Sequence, residues 1–502
     1  MKEIILFGGG EVGRNAAKHM KSDYRILFLA DNDEKKWGTA LEDCVVKSPA
    51  EIRNYDCDVV IASARYGVEI AGQLEQMAVS RERIYYYRDF DVNVTWGYEI
   101  YPAKADKVVS TGRPLCQYDL YHEAGQGAEH KKVLIFCTFY STYAKQLIEN
   151  MSKRCKDIEF SLLTGTKEYQ EKVTARQLKH LYYFQTMADL KTILEQLPVY
   201  DAVQLLWIER EWAYFYRLIR EKTVRLNLNV GGSDFYRAGK GERDFKKNLI
   251  ACADTITAET EATVREFQDY YGSIVENKMG LLPFGIEVLE LIDGCGSLSK
   301  NAIRKKYHIP SDKIIVTCGH NANDAHQHMG IIEAVSRLPE KIKEQIVCVF
   351  PMTYPQGRET YIHAVEDRLK KTGLRYVILK EFMDFQGMAE YARISDIMLH
   401  VQKTDQLSST MLEEMYAGSI VIAGKWLPYR SLHDMGMFFL DVDKIDDTAE
   451  ALETVVPNLE AYRKKCEGNK EIIWRHSSWD ELAVRWRALW DEKQPENNKD
   501  VI

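Results

Sequence analysis

Two carboxylates flank a hydroxyl-rich turn late in the chain. Asp405 and Glu413 are separated by seven residues, and an apolar run begins just after Gly418. The turn between the carboxylates contains three small hydroxyl residues, Ser408, Ser409 and Thr410. A helix that begins here would offer free N–H groups to a diphosphate, and Glu413 would reach a ribose. We therefore predict a nucleotide-sugar-binding turn, a helix, a glycine stop and a strand over 419–423. A helix N-cap followed by a surface Glu-Glu pair is the alternative.

A loop rich in polar side chains follows another predicted strand, 313–318. Gly319 allows close backbone approach there, and the loop carries hydrogen-bond donors or cations for a phosphate, Asn321, His320, His326 and His328. Lys380 and Lys403, each at the end of a predicted strand, are further phosphate-binding candidates. Three histidines in nine residues are compatible with a metal, but no carboxylate or cysteine set with recognised ligand spacing completes a site, so we expect none. A polar helix cap with exposed histidines is the alternative.

The N-terminus carries a glycine turn between a strand and a helix. Gly8, Gly10 and Gly13 match G-x-G-x-x-G, and Asp31 ends the next predicted strand, where an acidic residue would meet a ribose hydroxyl. The pattern predicts a Rossmann-like domain that binds a nucleotide or NAD(P). Glycines that only allow close packing of helix on strand are the alternative. The pattern ends near Phe90, too early for a complete dehydrogenase, so we expect no catalytic NAD role.

A third carboxylate follows two glycines near the middle of the chain. Asp234 is held either in a turn or towards a cleft. Glu209 and Glu211 are weaker candidates for a functional carboxylate, and the alternative is that they form surface salt bridges. Aromatic and basic residues follow them over 207–222, a pattern usual for a core helix with a solvated rim.

Composition limits the classes of protein. The chain has 502 residues, 45% of them hydrophobic, and a formal net charge of −8, which argues against nucleic acid as the main partner. Ten scattered cysteines form no C-x-x-C, so we expect reduced thiols. The chain begins with a strand rather than a signal peptide, and no window approaches 18 apolar residues. We expect a cytoplasmic protein with, at most, peripheral membrane contact.

Strands alternating with helices predict parallel sheets. Three α/β series follow one another, starting near residues 3, 132 and 313. We predict a strand over 251–258 in the second series, a hinge over 281–300 and a strand over 397–401 in the third. We predict five segments: a Rossmann-like accessory domain over 1–90, a linker over 91–131, two lobes over 132–285 and 286–460, and a helical tail over 461–502. Ligands in such sheets bind beyond the carboxyl ends of the strands.

Four segments carry a resemblance to a known family. They are 229–236 (NVGGSDFY), 318–328 (CGHNANDAHQH), 350–355 (FPMTYP) with Tyr361-Ile362, and 405–418. Together they resemble GT-B glycosyltransferases, nearest to bacterial enzymes that transfer 4-acetamido-4,6-dideoxygalactose from a TDP-sugar to a lipid-linked acceptor. Asp405 and Glu413 are nearer to the E-x7-E segment of retaining family-4 enzymes, with Asp405 in place of the first Glu. The N-terminal segment resembles small Rossmann-like domains attached to bacterial polysaccharide enzymes.

The resemblance implies an α/β fold in which the Rossmann-like domain is followed by two facing Rossmann-like lobes. It implies transfer from a UDP- or TDP-sugar to a surface-polysaccharide or lipid-linked acceptor, with no further cofactor. Asp234, His320 and Glu413 are then the predicted catalytic residues; Asp234 would be the base if transfer inverts the anomeric centre, and would orient the acceptor if it retains it. Tyr354 would shape the cleft wall at the donor. An NAD(P)-dependent nucleotide-sugar enzyme and a non-catalytic nucleotide-sugar-binding protein are the alternatives.

Overall fold

The computed structural model describes residues 1–90, 97–111, 117–119, 130–173, 178–294, 298–355 and 357–491. The described chain forms two compact units. The first contains residues 1–258, 264–280 and those from Arg487 on, and the second contains 259–263 and 281–486. Three sheets, each made mainly of parallel strands, confirm the predicted α/β fold class.

The first sheet has the order β3-β4-β2-β1-β5-β6-β7 and lies in the first unit. Its elements are β1 Lys2–Phe7, α1 Glu11–Met20, β2 Tyr24–Ala30, β3 Ala40–Leu41, β4 Cys44–Lys47, β5 Asp58–Ile61, α2 Gly67–Gln76, β6 Ile84–Phe90 and β7 Gly97–Pro102. β1 is buried along its last four residues and lies between β2 and β5, both parallel to it, because an apolar strand is stable where both faces are covered. The strand order reverses between β1 and β5.

The second sheet, also in the first unit apart from its last residue, has the order β15-β14-β13-β12-β9-β10-β11-β8. Its strands are β8 Gln117–Asp119, β9 Lys131–Cys137, β10 Ile158–Thr164, β11 Leu178–Tyr183, β12 Tyr200–Leu206, β13 Thr223–Val230, β14 Thr255–Ala258 and β15 Met279–Leu281. Its helices are α3 Thr142–Arg154, α4 Tyr169–Lys172, α5 Met187–Gln196, α6 Arg210–Tyr214, α7 Tyr216–Glu221, α8 Ser233–Tyr236, α9 Lys240–Phe245, α10 Lys247–Cys252 and α11 Glu261–Tyr271. Here the order reverses between β9 and β12. One apolar core, which includes Phe7 and Phe136, joins this sheet to the first.

The third sheet, in the second unit, has the order β18-β17-β16-β19-β20-β21. Its strands are β16 Ile314–Cys318, β17 Ile346–Pro351, β18 Tyr376–Leu379, β19 Ile397–His400, β20 Ile420–Gly424 and β21 Leu440–Val442. The helices of this part are α12 Val288–Gly294, α13 Lys300–Lys306, α14 His328–Ser336, α15 Glu340–Lys343, α16 Glu359–Leu369, α17 Phe385–Ala392, α18 Ser409–Ala417, α19 Arg430–Asp434 and α20 Thr448–Val455. The chain ends with α21 Leu459–Cys466, α22 Asn469–Ser477 and α23 Trp479–Trp490. In this sheet the order reverses between β16 and β19.

Three segments differ from their sequence-based description. The stretch 91–131, predicted as a linker, contributes β7 to the first sheet and β8 to the second. Its glycines and proline over 112–127 lie outside the described residues. The strand predicted over 251–258 is shorter, because Leu249 and Ile250 pack into the core from helix α10. The stretch 281–300, predicted as a hinge, contains helix α12.

Candidate functional site

The two central strands of the third sheet lead into the loops that carry most of the predicted donor-binding residues. β16 and β19 are the strands between which the order reverses, and such a switch point opens a crevice at the carboxyl edge of a doubly wound sheet. Three hydrogen bonds tie the two loops together: Gly319 N donates to Leu399 O at 3.3 Å, Lys403 N to Ala325 O at 2.8 Å, and Gln327 Nε2 to Val401 O at 2.7 Å. The loops therefore form one platform.

Four histidines line this platform. The rings of His320 and His326 are 4.2 Å apart, and His320 stacks on His400 at 5.9 Å with an angle of 7°. His328 is buried beside them, with its Nδ1 3.1 Å from the Tyr361 hydroxyl. Gly319 has φ +70°, and a Cβ there would lie 2.8 Å from His328 Nε2, so this position needs glycine. The histidines are thus packed against the turn rather than exposed.

The buried imidazoles are neutral and incompletely hydrogen-bonded. Burial, reinforced by the neighbouring histidines, lowers the pKa of His320 well below its ordinary value and that of His326 to about 3. Burial lowers the pKa of His328 to about 4. Three buried ring nitrogens have no partner among the described residues: Nδ1 of His320, Nε2 of His328 and Nδ1 of His400. Buried polar atoms without partners are uncommon, and three of them lie together at this edge of the sheet.

Asp405 faces its own loop rather than open space. The Tyr429 hydroxyl donates to Asp405 Oδ2, and His400 Nε2 lies 2.9 Å from the same hydroxyl and 3.4 Å from Oδ2. Burial raises the pKa of Asp405, but the contacts with His400 and Tyr429 outweigh it and lower that pKa overall. This network engages Nε2 of His400, whereas its Nδ1 has no partner among the described residues. Asp405 was predicted as a donor contact; in the structure its carboxylate contacts Tyr429 and His400.

Helix α18 begins as predicted. Ser408 is its N-cap, with Oγ accepting from Met411 N at 3.2 Å, and Gly418 ends it with φ +98°. Ser409 and Thr410 form the first turn, where N–H groups are free of intrahelical partners.

Glu413 and Glu414 lie one turn into this helix and are both buried, at 3% and 1% exposure, so a surface Glu-Glu pair is excluded. Glu414 Oε2 accepts from Ser419 Oγ at 2.6 Å. Glu413 takes no such bond from the described residues, and burial together with the charge of Glu414 raises its pKa to about 8.

The two predicted lysines differ in position. Lys403 follows β19 and lies 3.5 Å from Asp324 of the histidine loop. Lys380 follows the edge strand β18 and pairs with Glu366 at 3.0 Å, away from the switch point. Arg358 is closer to the platform, because its Nε donates to Ala322 O at 3.2 Å and its NH2 to Asp324 Oδ1 at 2.9 Å.

Tyr354 and Asn321 border the same platform. The Tyr354 carbonyl accepts from Ala322 N at 2.7 Å, and the Tyr354 side chain is 41% exposed. A hydrogen bond with Asn321 lowers the pKa of the Tyr354 hydroxyl, but burial has the larger effect and raises it. Both residues are therefore positioned to contact a ligand at the histidines.

Asp234 lies in the first unit, at the carboxyl edge of the second sheet. Its Oδ2 accepts from Ile208 N at 2.6 Å, and Oδ1 is buried without a partner among the described residues. Burial raises the pKa of Asp234, although the nearby Lys246 lowers it in part. Glu209 is in the same neighbourhood, where it accepts from the Thr138 hydroxyl, and burial with the charge of Glu211 raises its pKa.

The N-terminal glycine turn is closed on itself. Gly8 has φ +123°, and a Cβ on Gly13 would lie 1.6 Å from Gly8 O, so these two glycines are required by packing. A Cβ on Gly10 would meet nothing within 4 Å. The Asp31 carboxylate, predicted for a ribose, accepts from Gly9 N, from Asp33 N at 2.8 Å and from Lys36 Nζ at 3.2 Å. This geometry favours the packing interpretation of the motif.

Two further properties concern metals and membranes. Among the described residues, no group of three or more histidine, cysteine, aspartate or glutamate side chains is arranged to hold a metal ion. No helix in the described ranges is both long enough and apolar enough to cross a membrane.

Sequence reasoning missed three residues of the site. His400 ends β19, and its position beside a switch point was the available signal. Arg358 donates hydrogen bonds to Ala322 O and Asp324 Oδ1, which are more than 30 positions earlier, so no local sequence pattern reveals its place in the site. Glu259 follows β14 in the second unit, and burial together with the charge of Asp405 raises its pKa to about 7.

Comparison with known proteins identifies two parts of the chain. Residues 299–471, which contain the histidine platform and helix α18, match the family of glycosyl transferases group 1. Residues 1–85 match the family described as C2185-like, N-terminal. No curated protein sequence matches the chain.

Solved structures share the fold at low identity. A glycosyltransferase from Rickettsia africae ESF-5 is 13% identical with a TM-score of 0.60, covering 72% of this chain and 98% of its own. Alr3699/HepE from Anabaena, in complex with UDP and glucose, is 12% identical with a TM-score of 0.59 over 71% of this chain and 98% of its own. Sucrose-phosphate synthase from Thermosynechococcus elongatus is 13% identical with a TM-score of 0.56, over 72% and 98%.

The fold is thus that of GT-B glycosyltransferases, and the second unit carries a glycosyl transferases group 1 domain. The family match identifies the protein as a glycosyltransferase.

Proposed function

We propose that this glycosyltransferase transfers a sugar from a UDP- or TDP-sugar to a surface-polysaccharide or lipid-linked acceptor. The observation that carries the proposal is the switch point of the third sheet. There, partnerless imidazole nitrogens, the start of helix α18 and the buried Glu413 all belong to one carboxyl edge. HepE, which shares the fold, has been solved with UDP and with UDP-glucose.

The donor would be held by neutral dipoles rather than by a cluster of cations. The first turn of α18, at Ser409 and Thr410, offers N–H groups to a diphosphate, and His320 and His328 offer ring nitrogens. Glu413 accepts from ribose hydroxyls in this arrangement. Its binding to a sugar offsets the cost of burying a carboxyl that has no hydrogen-bond partner among the described residues.

Transfer forms a bond from the acceptor oxygen to the anomeric carbon and breaks the bond from that carbon to the diphosphate. Negative charge develops on the diphosphate, and preorganised donors in a site without bulk water stabilise it. Lys403 and Arg358, which both contact Asp324, place positive charge beside the histidine loop.

The acceptor proton needs a base if transfer inverts the anomeric centre. We assign that role to Asp234, whose buried Oδ1 has no partner among the described residues and is able to accept a proton. If transfer retains the configuration, Asp234 orients the acceptor instead.

The acceptor class follows from the family resemblance of the four segments. Since no described helix is able to cross a membrane, a lipid-linked acceptor would be met by peripheral contact at the inner face of the membrane, from the cytoplasm. The N-terminal domain has a packing role in this proposal and needs no nucleotide or NAD(P).

Release of nucleoside diphosphate from a panel of UDP- and TDP-sugars tests the proposal, with bacterial lipid extract as the acceptor source. We expect turnover with one base, lost in Glu413→Leu, which keeps the side-chain volume but removes the carboxyl. Glu453→Leu, on an exposed face of helix α20, is the matched control and should remain active. Equal turnover in wild type and Glu413→Leu would refute the assigned donor site.

A further inference from the structure

A second cavity lies inside the first unit, where two sheets end. Its volume is about 460 Å³, within the range of roughly 300–1,000 Å³ usual for small-molecule sites. The first sheet contributes Ser63 and Ala64, just after β5, and the second contributes Phe139 after β9 and Trp207 after β12. These are the strands at which each sheet reverses its order. The switch points of two doubly wound sheets therefore open into the same space.

The two sides of the cavity are fixed to each other by buried contacts. Arg210 NH2 donates to the carbonyls of Ser63 and Ala64 at 3.4 and 3.3 Å and also pairs with Glu242. Glu242 Oε1 in turn accepts from Val68 N at 3.2 Å. Both partners of the Arg210–Glu242 pair have nearly buried side chains, 12% and 4% exposed, so the cavity is preformed rather than a gap between loose parts.

One wall of the cavity is aromatic and strained. Trp207 has φ +63°, which is costly for any residue but glycine. Its ring lies 4.9 Å from that of Phe139, and a Cβ on Gly231 would fall 1.9 Å from its Nε1. The glycine thus makes room for the indole at the cavity. An aromatic face of this kind packs against the apolar C–H face of a sugar ring.

The charges of the lining favour an uncharged ligand. Five cationic and five carboxylate side chains line the cavity. Arg210 forms an ion pair with Glu242, and Arg88 forms ion pairs with Glu99 at 3.3 Å and Glu211 at 3.5 Å. Burial, together with the charges of Glu211 and Asp234, raises the pKa of Glu209 to about 8, so its carboxyl is largely protonated at neutral pH and is able to donate as well as accept. Arg65 and Arg237 also line the cavity but are exposed to solvent, whereas the buried carboxyl groups of Glu209 and Asp234 are suited to pairing with sugar hydroxyl groups.

A buried acceptor atom points to a missing donor. Asp234 Oδ1 has no partner among the described residues, while Lys246 Nζ donates to the Asp234 backbone carbonyl at 2.8 Å. A ligand hydroxyl would satisfy Oδ1.

We propose that this cavity binds an uncharged saccharide, with Glu209 and Asp234 as hydroxyl acceptors, Trp207 as the stacking face and the N-terminal domain as the opposite wall. This deepens the proposed function and rests on it for one point, that the bound saccharide is the sugar end of the acceptor. It gives the N-terminal domain a role in acceptor selection.

Saturation-transfer NMR on the full chain tests the proposal with methyl glycosides of glucose, galactose, rhamnose and N-acetylglucosamine as probes. Glucuronic acid and inorganic phosphate serve as anionic probes. We expect at least one neutral glycoside to bind in the millimolar range. At pH 9, above the pKa of Glu209, Glu209→Gln should weaken its binding about tenfold or more, because the amide presents one acceptor oxygen instead of the two of the carboxylate.

A second variant tests the N-terminal wall. Ala64→Trp places a large ring into the cavity from an exposed backbone position and should abolish glycoside binding. Ala50→Trp, exposed on the same domain but not in the lining, is the matched control and should bind as wild type. Binding only of the anionic probes, binding of no neutral glycoside, or equal binding to Ala64→Trp and wild type would each overturn the proposal.

UDP and TDP titrations of the same variants separate this inference from the proposed function. Glu209→Gln and Ala64→Trp should keep nucleotide binding, and Glu413→Leu should keep glycoside binding. Glycoside binding without any nucleotide binding would leave the saccharide site standing and refute the donor assignment.

Discussion

His320 and His400 stack at 5.9 Å with nearly parallel rings, one from each of the two strands between which the third sheet reverses its order. Each presents a buried Nδ1 without a described partner. The arrangement turns a general property of doubly wound sheets, a crevice at the switch point, into a specific polar surface. In the proposed function, this surface meets the diphosphate of the donor with imidazole nitrogens.

Gly319→Ala should lower the free energy of unfolding by more than the strain of its positive φ alone explains. Gly319 and Gly373 have φ of +70° and +69°, but only Gly319 has atoms within 4 Å of an added Cβ. We expect Gly373→Ala to cost about 1 kcal/mol of unfolding free energy and Gly319→Ala about 2–4 kcal/mol. Urea unfolding measures both. Equal costs would show that the contact with His328 is not tight.

Glu413→Leu should leave the chain as stable as wild type or more so at pH 8, while abolishing donor binding. The pKa of Glu413 is raised to about 8 from an ordinary 4.5, so its burial opposes folding increasingly as pH rises through that window. Removing the carboxyl should contribute up to about 4 kcal/mol at pH 8. Differential scanning calorimetry at pH 5 and pH 8 measures the difference.

Glu414→Leu is the contrasting variant. Glu414 accepts a hydrogen bond from Ser419 Oγ, and its loss leaves that buried hydroxyl without this partner, so we expect a destabilisation of about 1–3 kcal/mol. If Glu413→Leu proved equally destabilising, Glu413 would have a structural role and the donor assignment would lose its main support.

The histidines should make the second unit acid-sensitive. The pKa of His328 falls from an ordinary 6.5 to about 4 on burial, so the unfolded chain takes up its proton first as pH decreases. The stability that depends on neutral His328 is complete above pH 6.5 and lost as pH falls towards 4, up to about 3 kcal/mol. Unfolding free energies of wild type and His328→Asn over this range should converge at acid pH. A constant difference between them would contradict the assigned neutral state.

Breaking the Arg210–Glu242 pair should loosen the N-terminal domain. Glu242→Ala leaves a buried guanidinium without its carboxylate, and we expect a cost of about 3–5 kcal/mol. Lys240→Ala removes the neighbouring surface pair with Asp244, where Lys240 is 77% exposed, and should cost less than about 1 kcal/mol. Thermal unfolding compares the two, and similar costs would mean that the buried pair does not hold the cavity.

Much of the fold was accessible from sequence because its physical causes are local. Buried runs such as Ile397–His400, the Ser408 cap and the Gly418 stop each depend on a few neighbouring residues, and the strand and helix they predict are present. The edge strands β7 and β8 lie in polar, punctuated sequence, where pairing with a neighbouring strand decides the structure.

The site was less accessible, because its geometry depends on contacts between distant residues. The Asp405 carboxylate turns towards Tyr429, 24 positions later, which no spacing argument anticipates. Lys380 looked equivalent to Lys403 at a strand end, yet β18 is an edge strand and β19 a central one. The shared cavity of the first unit needed the order of two sheets, which strand patterns alone do not give.

Isothermal titration of UDP and TDP into wild type, Glu413→Leu and Gly10→Ala tests the central claim most directly. A Cβ added at Gly10 would meet no protein atom within 4 Å, so Gly10→Ala changes the N-terminal turn without a clash inside the protein. We expect one nucleotide to bind wild type and Gly10→Ala with the same affinity, and Glu413→Leu to weaken this binding about tenfold or more. Binding that survives in Glu413→Leu and disappears in Gly10→Ala would contradict the account and assign the nucleotide to the N-terminal domain.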